Sequence, residues 1–316
     1  MYDTVFFDYR QNEGSRGNLL DIVPQYLSSA NVKSVNDYCF VDGRLDGLNE
    51  NSLYIKVHPN RVEIHGGSIC KWSKGNNYVS MCRKDVRGFV EQVSDRLHVD
   101  INNADVRRLD VGVTLSLLYP VDVYLSHLGP MAYAYRLEQP HTVEYRRRDF
   151  TFCVYDKNRE QRENGELVPE LYTSTHAARA ELRLLKRLTK QLNVNRVTGK
   201  MLYDESFYMQ QIDRFTDTWK SINKINDFTL NFERMKGKKD LQRMGVALLV
   251  EKVGGVNEIY AQFDEAQKRK EISAKQKSDL RDCVSESMQL RDSVVVRNDA
   301  ITEFDRKLMM STKYYH

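Results

Sequence analysis

The sequence predicts an α+β fold, with strands and helices interspersed up to about Thr198 and helices alone beyond it. Three observations carry this. Apolar and polar residues alternate with period two at 109–115, 151–155 and 179–184, as in strands with one buried face. Apolar residues at helical spacing lie between these runs, at 85–97 and after Pro120. After Thr198, strand signals become sparse.

Residues 1–52 carry short apolar pieces at 4–7 and 19–23 among many Asn and Asp, and read as an irregular segment with a strand or two. Residues 53–57 and 61–65 alternate around His58-Pro59-Asn60, a hairpin. Residues 69–72 read as another strand, followed by a turn at Lys74-Gly75-Asn76-Asn77. Val86, Phe89, Val90, Val93 and Leu97 then share one face of a helix. The strand at 109–115 puts Asp110 on its polar face, and Pro120 opens a helix to about residue 128. In the strand at 151–155, Thr151, Cys153 and Tyr155 point one way, and a strand that runs on adds Lys157 to them. At 179–184, Arg179, Glu181 and Arg183 oppose Ala180, Leu182 and Leu184, with a basic helix following to about 192. Helical patterns then cover 202–224, 241–253, 256–269 and 278–290, with a break at Gly254-Gly255. The division predicted is an N-terminal segment at 1–52, a core at 53–200 and a helical region at 201–316, with a boundary near 195–230. There is no internal repeat.

The chain has 316 residues, 41% hydrophobic and 29% charged, which suits a soluble globular protein of one large domain or two ordinary ones. No apolar run approaches ~18 residues, and the polar start lacks a secretory h-region. A membrane protein, a secreted protein and a coiled-coil rod are excluded on these grounds. Five scattered cysteines without C-x-x-C argue against a zinc knuckle or a disulfide framework, and fit a reducing, cytoplasmic compartment. The net charge of +4 is modest. Its distribution is more informative: residues 146–200 hold 13 Lys/Arg against 7 Asp/Glu.

Three strands each leave a reactive group off the apolar face: Asp110, then Tyr155 with Lys157, then Glu181. Pairing in one sheet would bring them together. Two carboxylates suit a hard divalent ion such as Mg²⁺ or Mn²⁺. A tyrosine beside such an ion can attack phosphorus, because a metal on a phosphate oxygen makes phosphorus more electrophilic. A nearby ammonium stabilises the pentavalent state, and positive surroundings help a phenol of ordinary pKa ~10 to lose its proton. Periodicity alone leaves the plainer reading open. A strand carboxylate near an Arg is more often a solvated ion pair, and a strand tyrosine is usually packing.

The ordered strings resemble the gene II/gene X family of phage and plasmid replication proteins, the rolling-circle initiators of filamentous phages and related elements. The resemblance runs over roughly residues 53–225. Gly67-Ser68-Ile69-Cys70-Lys71-Trp72 with Gly75-Asn76-Asn77 resembles the family's G-S-L-x-K-F…G-N-N segment. Arg108-Leu109-Asp110-Val111 resembles its R-I-D strand, and the run from Pro120 to Leu125 the helix after it. Val154-Tyr155-Asp156-Lys157-Asn158-Arg159-Glu160 matches Y-D-K-x-x-E, and Arg179-Ala180-Glu181-Leu182-Arg183 matches R-x-E-L-R. Leu202-Tyr203-Asp204-Glu205 and Trp219 are similar to the helical segment beyond. Each string is weak alone; their shared order is the stronger signal.

The resemblance implies a ferredoxin-like replication-initiator core, an antiparallel sheet backed by helices. It implies an enzyme that nicks one strand of a supercoiled origin, leaves a 3′-hydroxyl primer, keeps the 5′-phosphate on a tyrosine and later rejoins the strand. The nucleophile falls on Tyr155, with Lys157 as adjacent cation, Asp110 and Glu181 as ligands of Mg²⁺ or Mn²⁺, and Glu160 as a third acidic group. Tyr145 is an alternative or second nucleophile, with a packed strand tyrosine as its plainer reading. The His-hydrophobic-His metal pair of many rolling-circle initiators is missing, and His65 is the one histidine considered in its place.

Origin DNA, as supercoiled duplex and as single strand, is the expected partner. Arg146, Arg147, Arg148, Arg183, Lys186, Arg187 and Lys190 are its candidate contacts, and a solvated basic surface is the equal alternative for any one of them. For the C-terminal helices a packed bundle without ligand is the default; a second DNA-binding module, a host helicase or polymerase contact, and self-association stand beside it. Two other functions are weighed: a DNA-binding replication regulator that does not cleave, and a relaxase- or transposase-type nickase.

Overall fold

Alternation in the first half of the chain commits each strand to one buried face. Val41 and Leu45, then Leu53, Ile55 and Val57, then Val62 and Ile64 are all buried, while the residues between them, apart from buried Gly43, lie open or half-open. The structure is a computed structural model that describes residues 1–12, 17–35, 38–225, 235, 237–294 and 299–315. Its strands are β1 (Tyr2–Arg10), β2 (Ser28–Val35), β3 (Tyr38–Asp46), β4 (Ser52–His58), β5 (Arg61–Gly66), β6 (Asp105–Leu117), β7 (Leu128–Met131), β8 (Tyr135–Gln139), β9 (Thr142–Arg146), β10 (Phe150–Asp156), β11 (His176–Leu184) and β12 (Ile222–Lys224). Ten of them form one antiparallel sheet in the order β2-β3-β4-β5-β1-β6-β11-β10-β9-β8, and β7 pairs with β12. The fold is α+β, as expected.

Aromatic packing marks the face that carries helices. Phe7 of β1 lies 6.2 Å from Phe89 of the helix Arg83–Leu97, whose inward residues are those read from the sequence. Phe152 of β10 lies 5.6 Å from Phe215 of the helix Glu205–Lys220. Trp219 of that helix stacks on Phe304 of the last helix, Asp299–Tyr315, at 4.5 Å. The opposite face bears the polar residues of β6, β10 and β11.

Four local expectations change. Residues 1–52 supply three strands, and β1 sits in the middle of the sheet. Register shifts in its pairing with β6, between Tyr2 and Val5 and between Phe6 and Phe7, interrupt the period-two signal. The segment read as a strand at 69–72 is the helix Ile69–Lys74, which Ser68 caps by accepting from the Lys71 N–H at 3.1 Å. It stops at Gly75, whose φ of 78° is left-handed. The helix after Pro120 is Val121–Ser126, shorter than expected, because Leu128 already begins β7. Residues 202–224 divide into the end of a 3₁₀ turn, Gly199–Tyr203, the helix Glu205–Lys220 capped by Asp204, and β12.

The chain forms two compact units. One is Met1–Ile225 with Ala300–His316, which contains the ten-stranded sheet. The other, Asn226–Asp299, holds the helices Lys238–Lys252, Val256–Lys268 and Ala274–Val294 around buried Val250, Ile259 and Val284. The break expected between its first two helices is present at Gly254 and Gly255, both at φ 106°. Among the described residues no helix is long and apolar enough to cross a membrane.

Candidate active site

The register of three strands decides which side chains meet. β10 pairs with β11 so that Tyr155 faces Arg179, Cys153 faces Glu181 and Thr151 faces Arg183. β11 pairs with β6 so that Arg179 faces Thr114, Glu181 faces Gly112 and Arg183 faces Asp110. Side chains two apart on a strand share a face, so Asp110, Tyr155, Arg179, Glu181 and Arg183 stand on one side of the sheet. Gly112 leaves room among them: a Cβ there would come within 3.2 Å of the Arg179 guanidinium and 2.9 Å of the Ala180 carbonyl oxygen.

All of these side chains except Arg179 line a cavity of about 410 Å³. Asp110, Glu181, Tyr155 and Glu160 all contribute to its wall, together with Asp3, Lys71, Arg108 and Arg183. Tyr155 and Glu160 also line an adjoining cavity of about 210 Å³. The Arg108 guanidinium holds the Asp110 carboxylate by three contacts, 2.9 Å to Oδ1 and 3.0 and 2.6 Å to Oδ2. Arg183 donates to Glu181 Oε2 at 3.1 and 2.9 Å. Both carboxylates are almost completely buried.

Burial pushes the Asp110 carboxyl up to about 7; Arg108 pulls against this and the neighbouring Glu181 adds to it. Burial likewise pushes the Tyr155 phenol well above its ordinary value, Glu181 raises it further and Arg179 opposes them. Arg179, outside the lining, is fully buried, 3.1 Å from Asp3, and donates to the Asn77 carbonyl at 2.8 Å and to Thr114 Oγ1 at 3.1 Å. Burial raises the Asp3 carboxyl, but Arg179, the Ser68 hydroxyl, Lys157 and the Asn77 amide outweigh it and hold the group below the usual carboxylate range.

The model of a family described as the N-terminal part of a phage replication-associated protein matches residues 27–203, more than half of the chain. The chain belongs to this family. Membership supports the role of a phage rolling-circle replication initiator and implies binding to origin DNA. No curated protein matches the chain.

The family's string around Gly67 builds one edge of the cavity. Ser68 donates its hydroxyl to Asp3 Oδ1, and Asn77 donates to the same carboxylate at 3.2 and 3.3 Å. Lys71 reaches Glu166 across the opening at 2.7 Å. Asp3, Arg108 and Lys71 are site residues that sequence reasoning passed over as site groups. The Ser68 cap and the position of Arg108 two residues before Asp110 were available signals; the bulged strand around Asp3 offered none.

Two expected residues are placed differently. Tyr145 is fully buried on the opposite face of the sheet, where it pairs with Phe152, and its hydroxyl donates to the Gly129 carbonyl at 2.6 Å. It does not line the cavity, because Val143 and Tyr145 belong to the apolar side of β9. Lys157 does not extend the Tyr155 strand. β10 ends at Asp156, which caps the helix Lys157–Glu163 by accepting from the Arg159 N–H at 2.9 Å. The Lys157 ammonium is buried, bonds Glu160 at 2.6 Å and lies 5.7 Å from the centre of the Tyr78 ring. Burial and then Arg179 lower its pKa against the pull of Glu160.

Glu160, expected as a third acidic group, reaches the cavity wall with one oxygen on Lys157 and the other accepting from Asn164 at 2.8 Å. Exposed His65 has its ring 6.5 Å from that of Tyr54 and is not part of the lining. Among the described residues no three His, Cys, Asp or Glu side chains form a ready metal cluster. The donor set on hand for a divalent ion is therefore Asp110 and Glu181. It fits Mg²⁺ or Mn²⁺ in kind, because Mg²⁺ is commonly held by one or two carboxylates plus waters and a substrate phosphate.

The basic candidates group at one end of the sheet. Asp149, in the turn after β9, accepts from Arg187 at 2.8 Å, and Arg187, Arg148 and Lys190 together hold its carboxyl below the usual range. Arg146, Arg147, Arg148, Lys186, Arg187 and Lys190 are all exposed there. Arg146 bonds Glu144 at 2.7 Å, and Arg147 lies 5.3 Å from the Phe150 ring. Arg183 belongs to the cavity instead, one strand residue from Leu184, where β11 ends.

Proposed function

We propose that this protein nicks and rejoins one strand of origin DNA through a covalent phosphotyrosine on Tyr155. The observation that carries the reading is the convergence of Tyr155, Asp110 and Glu181 on one cavity wall, in a chain whose family supports rolling-circle initiation. In the reaction the Tyr155 phenol gives up its proton to water in the cavity and its oxygen bonds to phosphorus. The bond from phosphorus to the 3′ oxygen breaks, and that oxygen takes a proton from water to become the free 3′-hydroxyl. Rejoining reverses these steps.

Each neighbour has a part. Arg179, directly opposite Tyr155 and fully buried, favours the phenolate. Arg108 and Arg183 hold the two carboxylates in place, and their positive charge on the cavity wall would favour a phosphate's developing negative charge. Asp110 and Glu181 would hold Mg²⁺ or Mn²⁺, which supplies charge neutralisation at a phosphate oxygen when bound. Lys157 acts as a positioning residue, fixing Glu160 on the wall. The exposed arginines and lysines near Asp149 hold the duplex backbone without reading sequence.

The test is nicking of a supercoiled origin plasmid with Mg²⁺ or Mn²⁺. Wild type is expected to give a site-specific nick that disappears in EDTA. A second reading, a regulator that binds without cleaving, draws on the Arg108 and Arg183 forks that already satisfy both carboxylates. It predicts binding unchanged in EDTA and no nick with any divalent ion.

A further inference from the structure

The sheet face that carries the cavity continues onto β3, β4 and β5, and its open side chains there interleave rings with cations. Arg44 of β3 pairs with Tyr54 of β4, and Tyr54 pairs with Gly66 of β5. The Arg44 guanidinium sits 5.2 Å from the centre of the Tyr54 ring. A Cβ at position 66 would lie 2.7 Å from that ring, so a glycine is what lets the ring lie over bare strand. One step along the same strands, Lys56 stands 4.7 Å from the Phe40 ring. Tyr54 is 44% exposed. Neither Arg44 nor Lys56 has a carboxylate partner among the described residues, whereas Asp42 is taken by Lys33 at 2.7 Å and Glu63 by Arg61 at 3.1 Å.

The geometry points to a docking platform for single-stranded DNA on this face, leading into the cavity at Arg44 and Tyr54. This rests on the reading that the cavity receives a DNA phosphate. Arg44 and Tyr54 line the same cavity as Asp110 and Tyr155, so the platform is continuous with the proposed site of attack. A flat ring offers a stacking surface to any unpaired base, and none to a base held inside a duplex. The two uncompensated cations complement a phosphodiester chain. Such a strand arises once a supercoiled origin opens, and the platform would hold it against re-pairing while Tyr155 acts.

The experiment measures fluorescence anisotropy of a labelled oligo(dT) and of a duplex of equal length, in EDTA, using the full chain carrying Tyr155→Phe so that no cleavage enters. Tyr54→Ala in that background is expected to weaken oligo(dT) binding about tenfold and leave duplex binding within twofold. Tyr54→Phe keeps the stacking surface and is expected to restore it. Arg44→Ala with Lys56→Ala is expected to lower the slope of log affinity against log salt by about 0.7 per cation. A thermal melt confirms that each variant folds, as the exposure of Tyr54 leads one to expect.

The platform is overturned if Tyr54→Ala binds oligo(dT) as well as its parent. It is equally overturned if oligo(dT) and duplex weaken by the same factor, or if the parent has no affinity for oligo(dT). Nicking by wild type is scored separately with Mg²⁺. A nick with unaltered oligo(dT) binding removes the platform alone; platform binding without any nick removes the tyrosine mechanism alone.

Discussion

Replacing Asp3 by Asn removes the charge that faces the most deeply buried cation of the site. The two side chains lie 3.1 Å apart, with 1% of Arg179 and 6% of Asp3 exposed. In Asp3→Asn, Arg179 keeps its charge and is left with neutral acceptors only, the Asn77 carbonyl and Thr114. The new amide also directs donors at Ser68 and Asn77, which already donate to this position. Removing one partner of a buried pair destabilises by about 3–5 kcal/mol. For a unit of this size that corresponds to a melting temperature lower by about 6–20 °C. Arg179→Met is expected to be milder, because Asp3 can take up a proton. The double variant is then expected to be less damaging than the sum of the two by about 0.5–3 kcal/mol.

The pH dependence has a definite sign. A carboxyl held below its unfolded value of ~3.9 contributes stability that is present above that pH and lost as pH falls through the folded value. Asp3→Asn should therefore flatten the acid limb of the melting profile. Thermal melts from about pH 2 to 7 measure both effects. A shift under ~2 °C for Asp3→Asn, or strictly additive variants, would refute the reasoning.

Other outcomes follow from the same geometry. Tyr155→Phe is expected to abolish nicking. Tyr145→Phe should nick normally and lose about 1 kcal/mol of stability with the bond to Gly129, as gel assays and urea melts would reveal. On the alkaline side, burial pushes the phenols of Tyr145 and Tyr315 up to about 12. Groups raised in the folded state stabilise it below their unfolded value of ~10 and lose that contribution as pH rises from there through about 12. Melting temperature should fall across that window; a profile flat up to the folded value would be inconsistent with it. Gly67→Ala is expected to destabilise by about 1–3 kcal/mol or more in a urea titration, because φ is +89° and the new Cβ would sit 2.5 Å from the Ser52 carbonyl oxygen. An unchanged midpoint would show that the backbone there relaxes freely.

Much of the candidate site was legible because three strands announce themselves by clean alternation. Once β6, β10 and β11 were recognised, the shared side of Asp110, Tyr155 and Glu181 required only that they be neighbours, and they are. What stayed hidden has local causes. The bulges of β1 scatter its apolar residues, which concealed Asp3 and the strand at the centre of the sheet. Asp156 works equally well as a strand end and as a helix cap, and the second role removes Lys157 from the strand. Val143 and Tyr145 alternate with Thr142 and Glu144, a pattern that marks Tyr145 as core, in keeping with its plainer reading as a packed strand tyrosine. Ser68 and Gly75 bracket a helix by cap and stop, yet the apolar run between them reads equally as a strand. The rings and cations of β3 and β4 become a surface only when register aligns Arg44 with Tyr54.

Mass spectrometry of a trapped reaction is the most direct test of the tyrosine mechanism. Wild type would be incubated with origin DNA and Mn²⁺, denatured, and digested with nuclease and protease. A phosphonucleotide attached to the peptide that contains Tyr155 is the expected product. A site-specific nick whose adduct maps to Tyr145, or one that leaves no adduct on any tyrosine, would contradict it.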